Sequence, residues 1–291
     1  MVLGVIQVDR QWIMNRLEVG GALPILPPDI VQLFQRISKP SWQSDASGVE
    51  SLLRRQGLAD LFWQQIRSPF FTCSTEAESL RELLEWIDQQ TVCALLSAFL
   101  LRRILPTQLG RARSFDRAKY RRHTLGTAVA ARILAARTKI SQPDRVFAYG
   151  LIHDLGVTVL DICLPDLLDE ICHVMGKGSR QVVAEQVILY GMTHEDLGGW
   201  LCDKWQLPLV VKSVVKYHHR PLLPTIGIDE TKLLYLSDML SAEQYGDLIG
   251  HGLPAGFEET VRGHLGVTQA ALAAVERELP LLINEAANLL E

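Results

Sequence analysis

Gly150-Leu-Ile-His153-Asp154-Leu-Gly156-Val-Thr158 sets an imidazole and a carboxylate side by side in otherwise apolar sequence. A carboxylate buried without a partner is costly enough that it takes up a proton or finds compensation. Imidazole nitrogen and carboxylate oxygen suit a divalent ion such as Zn, Mn or Fe. A neighbouring Arg or a helix N-terminus would serve an isolated His-Asp pair as well, so the dipeptide decides nothing unless further ligand-type residues recur. They do: His123 follows Tyr120-Arg-Arg, His194 lies in Met192-Thr-His-Glu-Asp, His218-His219 precede Arg220-Pro221, and Asp238 lies in Leu236-Ser-Asp-Met. Read singly, His123, His194 and His218 are ordinary hydrogen-bonded core histidines. The order His, His-Asp, His, His-His, Asp on separate predicted helices points to one shared site. His173, His251 and His264 fit no part of it.

Working outward, apolar residues recur at helical spacing, and no strand alternation is found in the N-terminal half. The expected fold is all-α, a multi-helix bundle of two subdomains. Pro28 stands as first helical residue of a stripe formed by Ile30, Val31, Phe34 and Ile37. Helices are expected at about 10–19, 29–38, 47–55, 58–67, 76–88 and 91–105. The Pro106 to Ser114 stretch breaks the pattern. Beyond it, helices are expected at about 116–137, 143–162, 165–175 and 179–190. Further ones start at His194 under a Thr193/Asp196 capping box, start at Pro208 and reach His218, and span about 230–245. The 143–162 helix would carry His153 and Asp154 near its centre, pointing about 100° apart. His218 would be the more inward of its pair. The residues from 266 onward read as one helix, kinked at Pro280, that covers the bundle or meets a partner. The division is thus an N-terminal extension (1–22), an N-terminal helical subdomain (23–105), a hinge (106–114), a His-rich subdomain (115–245) and a tail (246–291). Trp63, Phe70, Phe71 and Trp86 sit among leucines and read as core.

The 291 residues are 48% hydrophobic and 21% charged, the balance of a globular chain rather than a disordered one. A net charge of -4 disfavours a dedicated nucleic-acid binder. No uninterrupted apolar run approaches the ~20 residues of a membrane span, and Met1-Val-Leu-Gly-Val-Ile lacks the basic start of a signal peptide. The five cysteines show no Cys-x-x-Cys pair, which suits reduced thiols and a cytoplasmic location. Basic residues crowd around the hinge: Arg102, Arg103, Arg111, Arg113, Arg117, Lys119, Arg121 and Arg122. Such a run is ordinarily a solvated face. Lys119 and Arg122 share a helix with His123, however, where a phosphate approaching a metal would meet them.

The order of the ligand-type residues resembles the HD superfamily of metal-dependent phosphohydrolases. The resemblance implies that His123, His153, Asp154 and Asp238 hold one divalent ion (Fe, Mn, Zn or Ni). His194, His218 and His219 would help to hold a second, as in the dinuclear branch. Within that superfamily the chain resembles the HDOD family, an HD-related output module of bacterial signalling proteins. The matching features are the Leu23-Pro-Ile-Leu-Pro27-Pro28 opening, the Arg67-Ser-Pro-Phe70-Phe71 turn and the helix pair from Ser79 to Leu105. Together they extend over about 23–245, and the 115–245 subdomain would be HD-like. Arg55-Gln-Gly57-Leu58 and Gln65-Ile-Arg67-Ser68 depart from the Asp-Pro-x-Leu and Leu-Ala-Asn-Ser segments usual there.

The resemblance carries two expectations for function. HDOD modules are regarded as non-catalytic and work through contacts with signalling proteins, so the first is an output module that binds metal or nucleotide without efficient turnover. The second is an active phosphohydrolase on a nucleotide or cyclic dinucleotide, with Asp154, Lys119 and Arg122 as the catalytic candidates. Against turnover, Val157 stands where His-Asp-x-Gly-Lys relatives carry Lys. No Gly-Tyr-Pro lies between His219 and Asp238, and Lys119 stands where a Glu is common. No membrane partner is expected. The chain shows no recognisable receiver segment, so input would come from another chain or a small ligand.

Overall fold

The computed structural model describes residues 9–39, 45–67, 71, 77–245 and 256–290, and among these there are helices and turns but no strand. The N-terminal helices are α1 (Arg10–Val19), α2 (Pro28–Ile37), α3 (Ala46–Arg55), α4 (Ala59–Ile66), α5 (Leu80–Trp86) and α6 (Gln89–Ile104). A short 3-10 turn at Thr107–Leu109 leads to α7 (Arg117–Thr138), α8 (Pro143–Ile152), α9 (Leu155–Cys163), α10 (Pro165–Met175) and α11 (Gln181–Ile188). The remainder are α12 (His194–Lys204), α13 (Leu209–Tyr217), α14 (Ile228–Tyr245), α15 (Glu258–Leu265) and α16 (Gln269–Leu290).

Local chemistry sets the helix starts. Asp9, Ser79, Asp88 and Asp116 accept from the amides of Trp12, Glu82, Thr91 and Lys119, capping α1, α5, α6 and α7. Pro28, Pro143 and Pro165 stand at the first position of α2, α8 and α10, where no amide is needed. In α2, Ile30, Leu33, Phe34 and Ile37 form the buried face.

Helix α7 is the axis of the C-terminal part, packed by α8, α14 and α16, while α9 packs on α12 and α6 on α8. Its run Leu125 to Ala131 is buried on every side, as such a central helix requires. Helix α16 carries Pro280 internally and lays Leu279, Ile283 and Ala286 inward, so the tail covers the bundle. Arg137 of α7 reaches Glu278 of α16 at 2.5 Å. Arg145 of α8 ties three elements by pairing with Asp88 at 2.7 Å and with Glu230 at 3.0 Å.

Several expectations are corrected. The helix expected over 143–162 divides at His153-Asp154, where Asp154 leaves helical geometry (φ -90°, ψ 23°). Trp86 is 56% exposed rather than core, and Trp63 is half-buried with the Arg67 guanidinium 5.2 Å from its ring. Phe71 is buried, whereas Phe70 lies outside the described residues. Pro143–Cys163 is long and apolar enough to cross a membrane, but 94% of that window is buried inside the bundle. Cys93, Cys163, Cys172 and Cys202 are free thiols, and Cys73 lies outside the described residues.

The segment between α6 and α7 is fastened by two carboxylates: Asp169 of α10 accepts from the amides of Arg113 and Ser114 at 2.8 and 2.6 Å, and Asp161 holds the rest. Asp161 of α9 accepts from Arg117 Nε at 2.7 Å and Nη2 at 2.6 Å, and from the amides of Arg111 and Ala112 at 3.1 and 2.9 Å. Gly110 lies so close that a Cβ there would collide with this pair. Removing one partner of such a buried pair leaves the other uncompensated. Asp161→Ala is therefore expected to lower the unfolding free energy by about 3 kcal/mol in urea denaturation, with Asp161→Asn losing less. A change under about 0.5 kcal/mol for the alanine variant would show that the pair does not hold the segment.

Candidate metal centre

Seven ligand-type side chains converge in two groups, Asp154 with His194, His218 and His219, and His123 with His153 and Asp238. All are buried. Their origins explain the convergence. His123 comes from mid-α7 and Asp238 from mid-α14, two helices held face to face. Ser241 Oγ, one turn beyond Asp238, donates to the His123 carbonyl at 2.9 Å. The others stand at helix ends: His153-Asp154 at the break between α8 and α9, His194 as first residue of α12, and His218-His219 just past α13. The break frees both His153 and Asp154 to face the centre, where a continuous helix would splay them. Gly156 allows the required approach, since a Cβ there would collide with the His194 carbonyl.

Asp154 bridges the groups. Its Oδ2 lies 3.6 Å from His123 Nε2 and 3.4 Å from His153 Nε2, and its Oδ1 lies 3.3 Å from His194 Nε2 and 3.4 Å from His218 Nε2. Asp238 does the same, with Oδ1 3.0 Å from His123 Nε2 and Oδ2 3.5 Å from His219 Nδ1. The two histidines 218 and 219 both face inward with ring centroids 4.1 Å apart, so His218 is not alone on that face.

The donor chemistry fits a divalent ion. His153 Nδ1 lies 2.8 Å from the Gly150 carbonyl, and His218 Nδ1 lies 2.9 Å from the Val215 carbonyl. His194 Nδ1 lies 2.8 Å from both Glu185 oxygens. Each Nδ1–H is thereby spent on an acceptor, which fixes the tautomer that turns a bare Nε2 lone pair to the centre. His153 Nε2 and His219 Nδ1 are left buried with no hydrogen-bond partner among the described residues. Two lone pairs also face each other, His194 Nε2 and His218 Nε2 being 3.2 Å apart. Orphaned acceptors of this kind are what a metal ion satisfies. Ligands on bonds of about 2.1 Å stand about 3.0–3.4 Å apart, within the range of the separations here.

Unless an ion balances them, the two carboxylates draw protons onto the imidazoles, and a bound ion would displace those protons. Burial alone would raise Asp154 and Asp238, yet the imidazoles around them, His153 foremost for Asp154 and His123 for Asp238, hold both well below the usual carboxylate range. Burial opposes charge on His153, but Asp154 and Asp238 outweigh it and hold its pKa up at about 9. His194 is raised against burial by Glu185 and Asp154, while burial and His218 push His219 down.

Of the remaining candidates, Lys119 is half-buried on α7 and Arg122 is exposed. The residues missed are those behind the ligands. Glu185 of α11 also accepts the His194 amide at 2.9 Å, and Gln181 donates to Glu185 at 2.6 Å. Tyr120 donates to the Asp154 carbonyl at 2.9 Å. The sequence carries no signal for them: only in the fold is α11 seen to bury Gln181 and Glu185 while Val183 and Val187 are exposed, the reverse of an ordinary amphipathic helix.

A protein-family model described as the HDOD domain matches residues 23–221. An HDOD domain protein of unknown function from Geobacter sulfurreducens superposes with a TM-score of 0.62 at 17% identity, over 97% of each chain. A candidate phosphohydrolase from Shewanella amazonensis SB2B gives 0.66 at 16% identity, over 96% of this chain and 98% of that one. A candidate signal transduction protein from Marinobacter aquaeolei VT8 gives 0.68 at 20% identity, over 98% of this chain and 62% of that one. At these identities the likeness is one of fold. An uncharacterized protein from Treponema pallidum (strain Nichols) is 23% identical over 104 residues, 33% of this chain, and the match spans only 20% of that protein's length.

Two variants test the centre. Glu185→Gln removes the anionic acceptor behind His194, and its affinity for the bound ion is expected to fall about 10- to 100-fold in a chelator competition. Asp154→Ala takes a ligand from both groups, so the metal content measured by elemental analysis is expected to drop. Unchanged content in that variant would mean that the seven residues do not form one site.

Proposed function

Because the chain belongs to the HDOD family, whose domain model matches residues 23–221, we propose that it is a bacterial signal-transduction output module that holds a divalent ion without efficient turnover. Its partners on this reading are cytoplasmic signalling proteins. The observation that carries it is closure. All seven ligand residues are buried, none more than 7% exposed. Metal sites that build structure are closed by protein ligands, whereas catalytic ones keep a position open to substrate. His123, His153, Asp154 and Asp238 would hold one ion, with His194, His218 and His219 completing a second position. A bound divalent ion would supply charge neutralisation and Lewis acidity toward a phosphoryl oxygen.

The residues that would handle a phosphate fit the same reading. Val157, where a Lys would reach toward substrate, is packed in the core at 1% exposure. Arg122 faces solvent. The chain's own groups near the centre orient imidazoles and exclude water, which favours retention of an ion over passage of a substrate. One observation supports the second reading, an active phosphohydrolase on a nucleotide or cyclic dinucleotide: both ligand groups are complete.

Elemental analysis of the chain purified without chelator is expected to find one or two equivalents of Fe, Mn, Zn or Ni, matching the two groups. The same preparation is expected to release no product from bis(p-nitrophenyl) phosphate or cyclic di-GMP above the Asp154→Ala background. Turnover that disappears in the variant would replace this reading with the phosphohydrolase. Metal-free protein that stays so after addition of Mn and Fe would remove both.

A further inference from the structure

A cleft of about 230 Å³ lies between α6, the 106–110 segment, α7, the end of α8 and α9, and none of the seven ligand residues lines it. Its floor is apolar, with Leu105, Phe115, Leu151, Leu155 and Ile162 among the lining residues. Three guanidinium groups line it as well, those of Arg102, Arg117 and Arg121. Arg117 is matched by Asp161 in a two-point pair. Arg102 is half-buried and Arg121 exposed, and neither guanidinium has a hydrogen bond or ion pair to any described residue. Burial and then the charge of Arg121 work against the charge on Arg102 and lower its pKa. A folded chain holds two cations of like sign in one recess at a cost, which an anion placed between them would remove.

We propose that this cleft binds a small organic anion, its carboxylate or phosphate head held by Arg102 and Arg121 and its apolar body lying on Leu105, Phe115 and Leu155. The mixture of an apolar lining with a few convergent polar groups is the ordinary make-up of a small-molecule site. Arg rather than Lys at both positions suits a planar or tetrahedral oxyanion, which a guanidinium meets with two parallel N–H donors. The site shares no ligand with the metal centre and stands independently of the function proposed above.

The test uses the full chain as purified and the anionic dye 8-anilinonaphthalene-1-sulfonate as probe, followed by fluorescence. Saturable binding is expected, displaced by octanoate or by phenyl phosphate but not by octanol. The better of the two displacers identifies the head as carboxylate or phosphate. Arg102→Ala/Arg121→Ala is expected to weaken dye binding at least tenfold while the circular dichroism stays that of the parent. Thr107→Trp, which plugs the mouth and keeps both arginines, is expected to do the same, and it carries the test should the double variant fail to fold. Absence of saturable binding, displacement by octanol as readily as by octanoate, or undiminished binding in both variants would overturn the proposal.

Discussion

Two buried carboxylates, Asp154 and Asp238, govern the C-terminal part of this molecule. Each is nearly sealed from water, and each sends its two oxygens to different histidines. A buried carboxylate is tolerated only if positive charge or hydrogen bonds surround it. Five imidazoles supply that surrounding, and they come from α7, the α8–α9 break, α12 and the end of α13. The packing of α7 against α14 and of α9 against α12 is therefore also a requirement of charge. Moving any one of these helices would strand an anion in the core.

The same requirement explains why the ligands gather at helix ends. A side chain in mid-helix is confined to the direction that the 3.6-residue period assigns it. A residue at a terminus or break has backbone freedom to turn, and its flanking carbonyls are unclaimed by the helix. Both properties are used. Gly150 and Val215 offer carbonyls to the Nδ1 atoms of His153 and His218, three residues on. Glu185 serves His194 instead, because an N-terminal residue of a helix has amides to spare rather than carbonyls. Different local backbones thus give one result, an Nε2 lone pair aimed at a common point.

Much of this was legible in the sequence, and what escaped has identifiable reasons. The helices followed from apolar spacing and from Pro28, Pro143 and Pro165, and His194 was placed correctly at a helix start by Thr193 and Asp196. That carboxylate does take the Thr193 amide, at 3.1 Å. The break at His153-Asp154 was not legible, because Leu151 to Val157 is uniformly apolar around the pair, and nothing local interrupts helix there. Tertiary demand does. Glu185 escaped because a Glu in a helix is ordinarily solvated, and only the exposure of Val183 and Val187 in the folded chain reveals that α11 is turned inside out. Trp86 was misread for the opposite reason: lying among leucines says nothing about which side of a short helix a residue occupies.

Retention of a complete ligand set is weak evidence for turnover, and the physical reason lies in the cluster itself. Removing any one of the histidines would take away part of the compensation on which a buried carboxylate depends, so folding as well as chemistry holds the set together. Position 157 is under the opposite constraint. It faces the core, where Val is stabilised by burial and a Lys would need a compensating anion. A chain that no longer handles phosphate has every energetic reason to place an apolar residue there and none to discard a ligand. The combination of an intact cage and an apolar neighbour is what a metal-holding signalling module would converge on.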